Sequence, residues 1–373
     1  MSDLERTAAV IEAGVADGTH IGAQLSVSHD GVVRDFVTGM SRPGVAMTSD
    51  SLMIWFSMSK AVCAVAIAQQ WERGKVRVDE PVQTYLPEFG ANGKENVTIR
   101  HLLTHTGGFP WADDILRGKV WRESVEENRS RIYAASLETG WVPGERAGYH
   151  ATSGHTVLGA IVEAVDGRSY DKYVREEIFL PLGMNDSWVG LPPDRYDAYG
   201  NLIGMMQNTS AGGGPSLIAM ETRDVAAMRI PGANGRGPMH DLRKLYEMFL
   251  GEGSREGVRL LSPQTVAALA ARHRVGLLDE TFGIVLDWGL GLSIDGYIMG
   301  RHSSVRAFGH GGSQSSAAYC DPENNLAVAV VCNGMPGGDR HAVRMDAIAT
   351  ALYEDLGLAN GDGRNKPYPT TSL

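Results

Sequence analysis

What most restricts the fold of this 373-residue chain is where its strand-like alternation falls: near the two ends, with helical and breaker-rich sequence between. Ile21, Ala23, Leu25 and Val27 alternate with polar residues, and after His29-Asp30-Gly31 the pattern resumes with Val32-Val33 and Phe36-Val37. Asp-Gly between two such runs predicts a tight antiparallel hairpin, because both turn residues tolerate positive φ. The other strand signals come late: Trp288–Leu292, Ser315–Tyr319 and Leu326–Cys332. Helical spacing marks both flanks, with Leu4, Ala8, Ile11 and Val15 on one face of 3–16 and a closing helix over 342–356. The expected class is α+β: one antiparallel sheet built from both termini and flanked by helices, with a mostly helical region inserted. The chain divides accordingly into a discontinuous sheet domain, 1–80 and 240–373, and an inserted region, 81–239.

Residues 57–72 are rich in Ala, Val and Gln, contain no Pro or Gly, and stop near Gly74, which predicts a helix with Ser57 at its start. Breakers from Pro81 to Gly148 predict short helices joined by loops, and Asp166-Gly167 splits 152–180 into two helices. Further helices are expected over 240–250 and 262–271. The segment 189–238, with Gly212-Gly213-Gly214-Pro215 and the glycines of 232–237, is the least patterned; such loop-rich stretches often shape pockets. The polar tail from Asn360 is expected to fray.

The apolar content of 43 % and charged content of 21 % are those of an ordinary globular protein. A net charge of −10 argues against nucleic-acid partners and against anionic membrane surfaces. No long apolar run predicts a membrane span, and the first residues lack a basic and an apolar signal region, so the cytoplasm is the expected location. Cys63, Cys320 and Cys332 have no C-x-x-C spacing and are expected as buried thiols.

Two S-x-x-K strings are candidates for chemistry. Ser169-Tyr170-Asp171-Lys172 follows Asp-Gly-Arg and opens a helix, so Ser169 reads as an N-cap. Ser57-Met58-Ser59-Lys60 instead follows an apolar segment and opens an apolar helix, with Lys60 one turn on and on the same face. A lysine there invites a reading as the base for a serine nucleophile, since burial or a second cation makes an amine able to accept a proton. The alternative is a capping serine with a snorkelling lysine. Tyr149, in Gly148-Tyr149-His150-Ala151-Thr152, is a candidate second proton carrier or an ordinary loop tyrosine. Phe308-Gly309-His310-Gly311-Gly312-Ser313 puts glycines where a ligand can approach a strand backbone, or forms a simple bulge.

S-x-x-K is shared by serine β-lactamases and penicillin-binding proteins. In order along the chain stand Ser57-x-x-Lys60, Asp79-Glu80-Pro81-Val82 through Pro87, Ile99-Arg100-His101-Leu102-Leu103-Thr104-His105-Thr106-Gly107-Gly108, Tyr149, Pro181-Leu182-Gly183-Met184 and His310-Gly311-Gly312. With this series the chain resembles the serine β-lactamase-like superfamily, in the branch of class C β-lactamases, family VIII esterases and D-amino-acid amidases. The resemblance implies an acyl-enzyme at Ser57, proton transfer shared by Lys60 and Tyr149, and an oxyanion hole from the backbone N–H groups of Ser57 and Ser313. It implies substrate contacts from His310, Gly311, Gly312, Ala151 and Trp55, and neither metal nor cofactor. Ala151 stands where class C enzymes carry an asparagine that holds the substrate amide, and His310 where they carry a lysine. Both departures point away from β-lactams and toward the esterase and amidase branches.

The function expected is therefore hydrolysis of carboxylic esters, small or peptide-like. The alternative is a biosynthetic acyltransferase or amide-forming enzyme in which an amine or alcohol acceptor replaces water. A β-lactamase or D-amino-acid amidase comes after these, and a non-catalytic binding relative last. His101-x-x-x-His105 has the spacing of a metal pair but no intervening Glu or third ligand, so these histidines are expected to pack and brace a loop. The absence of G-x-S-x-G argues against an α/β-hydrolase.

Overall fold

A computed structural model describes residues 4–112, 121–210, 214–218 and 220–369. Gly212 and Gly213 lie outside the described residues. The large sheet is formed by β1 (Gly22–His29), β2 (Val32–Arg42), β3 (Val45–Ala46), β4 (Asp287–Trp288), β5 (Ser293–Ile294), β6 (Phe308–Gly312), β7 (Ser316–Asp321) and β8 (Leu326–Cys332). Its order is β4-β5-β6-β7-β8-β1-β2-β3, every pair antiparallel. The two ends of the chain meet at the β8–β1 ladder, where Leu25 faces Val330 and Val27 faces Val328. His29 pairs directly with Val32, leaving Asp30 (φ 50°) and Gly31 (φ 77°) as the two-residue turn that Asp-Gly predicts.

Each face of the sheet has its own cover. Helix α1 (Glu5–Ala16) and the closing helix Gly338–Asp355 pack on each other, and their core includes Leu4, Ile11, Ala23, Leu25, Val27, Tyr319, Val328 and Val330. The opposite face lies beneath the helix Met239–Leu250. There the polar half of β1 is buried, although alternation alone suggests solvent. Gln24 is held because its side-chain oxygen accepts from Met239 N–H and its amide donates to the Ser51 carbonyl (2.9 Å). Ser26 Oγ accepts from Arg243 Nε at 2.9 Å. A buried polar group is tolerated where its bonds are met in this way.

Helix α2 (Ser59–Glu72) runs through the middle of the helical layer, buried continuously from Ser59 to Gln70. A helix enclosed on all sides needs small residues wherever neighbours approach, which accounts for its alanines. It packs against α3 (Ser153–Asp166), the short helix Tyr170–Val174 and the helix Pro263–Ala270. Gly167 ends α3 in the left-handed region at φ 88°, the break expected at Asp166-Gly167.

The loop-rich segment 189–238 is held into the fold at its described C-terminal end. It contributes Gly235–Gly237 to a small sheet with Met53–Ile54 and Trp188–Val189, and a fully buried Arg236–Glu221 ion pair at 2.8 Å anchors it. The tail from Asn360 does not fray over its described part, because its cations find a partner: Arg364 donates to Asp295, and Lys366 Nζ lies 2.8 Å from the same carboxylate. The three cysteines are free and buried. Among the described residues no helix is long and apolar enough to cross a membrane.

Candidate active site

Ser57 lies one step earlier than a helix start. It occupies a 3-10 turn, Phe56–Met58, and the α-helix proper begins at Ser59. Phe56 is forced to φ 47°, an uncommon conformation for a bulky residue, and such strain persists only where surroundings hold it. The hold comes from the glycine run 232–237. Trp55 N–H donates to the Gly235 carbonyl at 2.8 Å. Ser59 Oγ accepts from Gly235 N–H at 2.9 Å and donates to the Phe56 carbonyl at 2.6 Å. A Cβ on Gly235 would sit 2.5 Å from the Trp55 ring, so only glycine lets this strand back the turn.

Trp55 is corrected as a substrate contact. Its side chain is fully buried, donates from Nε1 to the Gly237 carbonyl (3.0 Å) and meets Phe179 edge-on; the ring is core and wedges the turn from behind. Trp121 is partly buried against the core, and Met206 belongs to it.

Lys60, in the first turn of α2, is fully buried. Its Nζ lies 2.9 Å from Ser57 Oγ, 2.7 Å from the Ala151 carbonyl and 2.9 Å from the Gly232 carbonyl. Tyr149 comes from the loop before α3, and its hydroxyl is 2.9 Å from Ser57 Oγ. Ser57 thus meets an amine and a phenol at hydrogen-bond distance, and it is half-buried where both partners are buried. Such a trio can move a proton off the serine hydroxyl and return it to a leaving group. Ala151 contributes its carbonyl to Lys60, while its methyl packs beside Tyr149, Ile284, Leu286 and Trp288.

The backbone of Tyr149 is fastened by a buried pair that no sequence motif marks. Asp279 Oδ1 accepts from the N–H groups of Tyr149 (3.1 Å), Thr281 (3.1 Å) and Phe282 (3.2 Å). Its other oxygen accepts from Arg274 at 3.0 Å, with both side chains fully buried. Burial pushes the Arg274 guanidinium down to about 10, against the pull of Asp279. In the sequence Leu278-Asp279-Glu280 looks like any surface turn. The Tyr149 ring is flanked by Phe282 (4.6 Å between centroids) and His105 (4.5 Å).

His101 and His105 do what packing histidines do. His101 Nδ1 accepts from Thr98 N–H in a reciprocal helix cap, and His105 Nδ1 accepts from His150 N–H at 3.1 Å. Strand β6 carries His310, Gly311 and Gly312 to the site and packs against the Ser57 turn. A Cβ on Gly312 would lie 2.5 Å from the Trp55 carbonyl oxygen, so the close approach depends on glycine. Ser313 follows in the turn, half-buried. Burial and the nearby Lys60 charge push the His310 imidazole down to about 3, so it is neutral at pH 7.

The sheet with its helical layer is the β-lactamase/transpeptidase-like fold, that of a family of serine hydrolases and acyltransferases. The family model for the beta-lactamase family matches residues 7–353, and the chain belongs to that family. It is 29 % identical over 338 residues to the esterase/beta-lactamase LipL of Mycobacterium tuberculosis, covering 84 % of this chain and 77 % of LipL. A penicillin-binding protein homologue from Caulobacter crescentus superposes with a TM-score of 0.78 at 27 % identity, covering 95 % of this chain and 98 % of that one. A family VIII carboxylesterase shares the fold with a TM-score of 0.80 at 24 % identity, with the same coverage of each chain.

Proposed function

We propose that the protein is a carboxylic ester hydrolase working through an acyl-enzyme at Ser57. The observation that carries this reading is the position of Ser57 Oγ, 2.9 Å from both Lys60 Nζ and the Tyr149 hydroxyl. In the first half-reaction Ser57 Oγ attacks the ester carbonyl carbon and its proton passes to the Lys60–Tyr149 pair. The tetrahedral intermediate collapses, the C–O bond to the alcohol breaks, and the alcohol leaves with that proton. Water then attacks the acyl-enzyme with the same pair as base, releasing the carboxylic acid and restoring Ser57. The backbone N–H groups of Ser57 and Ser313 are assigned to the oxyanion; such a donor typically contributes about 2.7–4 kcal/mol to lowering the barrier.

Esters are favoured over β-lactams and other amides by two features of the site. Ala151 offers no side-chain amide to a substrate amide, and His310 is neutral where a cation would read a carboxylate. Relatedness to a protein named as both esterase and beta-lactamase fits the same chemistry. The test is intact-mass measurement after exposure to an activated ester, a cephalosporin and a fluorophosphonate. The expected result is an ester- or phosphonate-derived adduct on the wild type and none on Ser57→Ala. Wild-type protein unlabelled by all three reagents would leave a non-catalytic binding role as the better reading, and fast turnover of the cephalosporin would restore β-lactams as substrates. Adding an amine or alcohol during turnover and assaying its acylated product separates a hydrolase from a transferase.

A further inference from the structure

The turn that carries Ser313 is strained, and what holds it comes from a helix on the other face of the sheet. Residues 312–315 close on themselves, with Ser315 N–H donating to the Gly312 carbonyl at 3.0 Å, and the Ser315 carbonyl accepts from Cys332 N–H at 2.8 Å. Within that turn Gln314 stands at φ 45°, in the left-handed region that a long side chain seldom adopts. Such a conformation persists only where the surroundings impose it. Here they grip both the side chain and the backbone of the residue. Gln314 Oε1 accepts from Gly337 N–H at 3.0 Å, and the Gln314 carbonyl accepts from Arg344 Nη2 at 2.9 Å. Arg344 comes from the closing helix Gly338–Asp355 and is 7 % exposed. Its Nη2 also lies 3.1 Å from the Gly334 carbonyl, and its Nη1 3.4 Å from the Thr19 carbonyl. Taking a guanidinium out of water is costly, and neutral carbonyls offset less of that cost than a carboxylate does. What the arrangement secures is geometry.

We propose that Arg344 is a positioning residue for acyl transfer: by holding the Gln314 carbonyl it keeps the 312–315 turn in the conformation that aims the Ser313 N–H at the oxyanion. It acts only through the turn, as a clamp on the residue that follows Ser313. Without the clamp Gln314 relaxes toward negative φ, the peptide planes around it rotate, and the Ser313 N–H leaves the line on which charge develops. Ser57, Lys60 and Tyr149 are held by other elements, the strand 235–237, the carbonyls of Ala151 and Gly232, and Asp279. They stay in place. Assigning the Ser313 N–H to the oxyanion rests on the ester-hydrolase reading. Labelling of Ser57 by a fluorophosphonate needs no turnover, however: Ser57 Oγ bonds to phosphorus, fluoride leaves, and the phosphoryl oxygen takes the place of the oxyanion.

The experiment compares wild type, Arg344→Met and the double variant Arg344→Met/Gln314→Gly. Arg344→Met should lower kcat on an activated ester by about 30- to 100-fold with KM within about threefold, and slow fluorophosphonate labelling by a similar factor. The pH profile of kcat/KM should keep its wild-type midpoints, because Lys60 and Tyr149 are untouched. Glycine takes positive φ at no steric cost, so adding Gln314→Gly should recover at least about fivefold in both rates, although it restores no packing around position 344. A merely structural role for Arg344 gives no such recovery. Thermal midpoints are measured alongside, and rates are compared where every variant is folded. Arg344→Gln, whose amide ends short of the guanidinium tip, carries the same comparison where Arg344→Met does not fold. A folded variant with both rates within about threefold of wild type overturns the proposal. So does a loss that Gln314→Gly leaves unchanged, and so does a shifted pH midpoint, which puts the effect on the Lys60–Tyr149 pair. Wild-type protein that is labelled but turns over no ester sinks the hydrolase reading alone, and the labelling rates then decide on Arg344. Wild-type protein that the fluorophosphonate does not label overturns both.

Discussion

The chain carries the same four-residue string twice, and the two copies share almost nothing else. Ser57 and Lys60 sit where a strained turn enters a wholly enclosed helix, with the lysine amine 2.9 Å from the serine oxygen. Ser169 and Lys172 sit at the start of a short helix, and the Lys172 side chain is 60 % exposed, 4.0 Å from Glu176. What separates them is supplied by distant parts of the chain: carbonyls of Ala151 and Gly232 on Lys60, the Tyr149 hydroxyl on Ser57, and glycines at 235 and 312 that let two strands close on the turn. Reactivity here is a property of enclosure, and the string is only a precondition.

The largest expected effects break that contrast directly. Ser57→Ala should lower esterase kcat/KM by at least about a thousandfold, as removal of a serine nucleophile does elsewhere. Lys60→Ala and Tyr149→Phe should each cost roughly 10²–10⁴-fold, the usual contribution of positioned acid–base groups. Lys172→Ala should change kcat/KM by less than about twofold, since exposed charges far from the chemistry contribute little. Steady-state kinetics on a single activated ester decides all four; comparable losses at Lys60 and Lys172 would refute the contrast.

Next comes the clamp under Tyr149. Asp279→Ala removes the acceptor for three backbone N–H groups and leaves Arg274 buried without its carboxylate. Breaking such a pair costs about 3–5 kcal/mol of stability. Displacing Tyr149 should also lower kcat by about 10²-fold, the order expected when a catalytic group shifts by an ångström. Denaturant unfolding measures the first and kinetics at a temperature where the variant is folded the second. An unchanged kcat in folded Asp279→Ala would remove Asp279 as a positioning residue.

The fold was legible where local chemistry and global pairing agree. The Asp30-Gly31 turn, the late strands and the Gly167 helix stop are written in residue types whose backbone preferences match what the structure needs. The serine, lysine and tyrosine were legible because the ordered motifs carry them. Asp279 and Arg274 were not, because their hold on Tyr149 exists only after residues more than a hundred positions apart are packed together; an aspartate in a turn has no local mark of burial. The glycines of 232–237 were visible, but their backing of the Ser57 turn was not, since closeness of backbone to backbone is not encoded in periodicity. Burial of the polar face of β1 was unmarked for a related reason: alternation tells that two faces differ, not which of them is covered.

The enclosure around Ser57 also has a pH signature that the Ser169 region lacks. His150 and His310 are fully enclosed, and burial, with Lys60 nearby, pushes both imidazoles down to about 3. In the unfolded chain they titrate near ~6.5. The unfolded state therefore binds more protons between these values, so stability rises with pH there. The contribution is complete above about pH 6.5 and is lost progressively as pH falls toward about 3, at roughly 1.4 kcal/mol per pH unit for each ring. Unfolding free energies between pH 6.5 and 5 keep clear of most carboxylate titration. His150→Phe should flatten the slope there by about 1.4 kcal/mol per pH unit; a slope equal to that of the wild type would show that His150 is not held neutral.

The smallest expected effect concerns Ser169 itself. It occupies the N-cap position before Tyr170–Val174, as its sequence suggests, yet its side chain makes no capping hydrogen bond. The Tyr170 N–H, at the first helical position, is met by Glu163 Oε1 at 2.8 Å. Ser124 offers the internal standard: it caps the helix Val125–Ala134, accepting from Glu127 N–H at 3.2 Å while Glu127 Oε2 accepts from Ser124 N–H at 2.8 Å. Ser124→Ala should cost about 1 kcal/mol, the usual value of a bonded cap. Ser169→Ala should stay within about 0.5 kcal/mol and leave esterase activity unchanged, because its side chain makes no capping hydrogen bond to lose. Equal losses at the two serines, measured by denaturant unfolding, would show that Ser169 caps in solution through another rotamer, accepting from the N–H of Asp171 or Lys172.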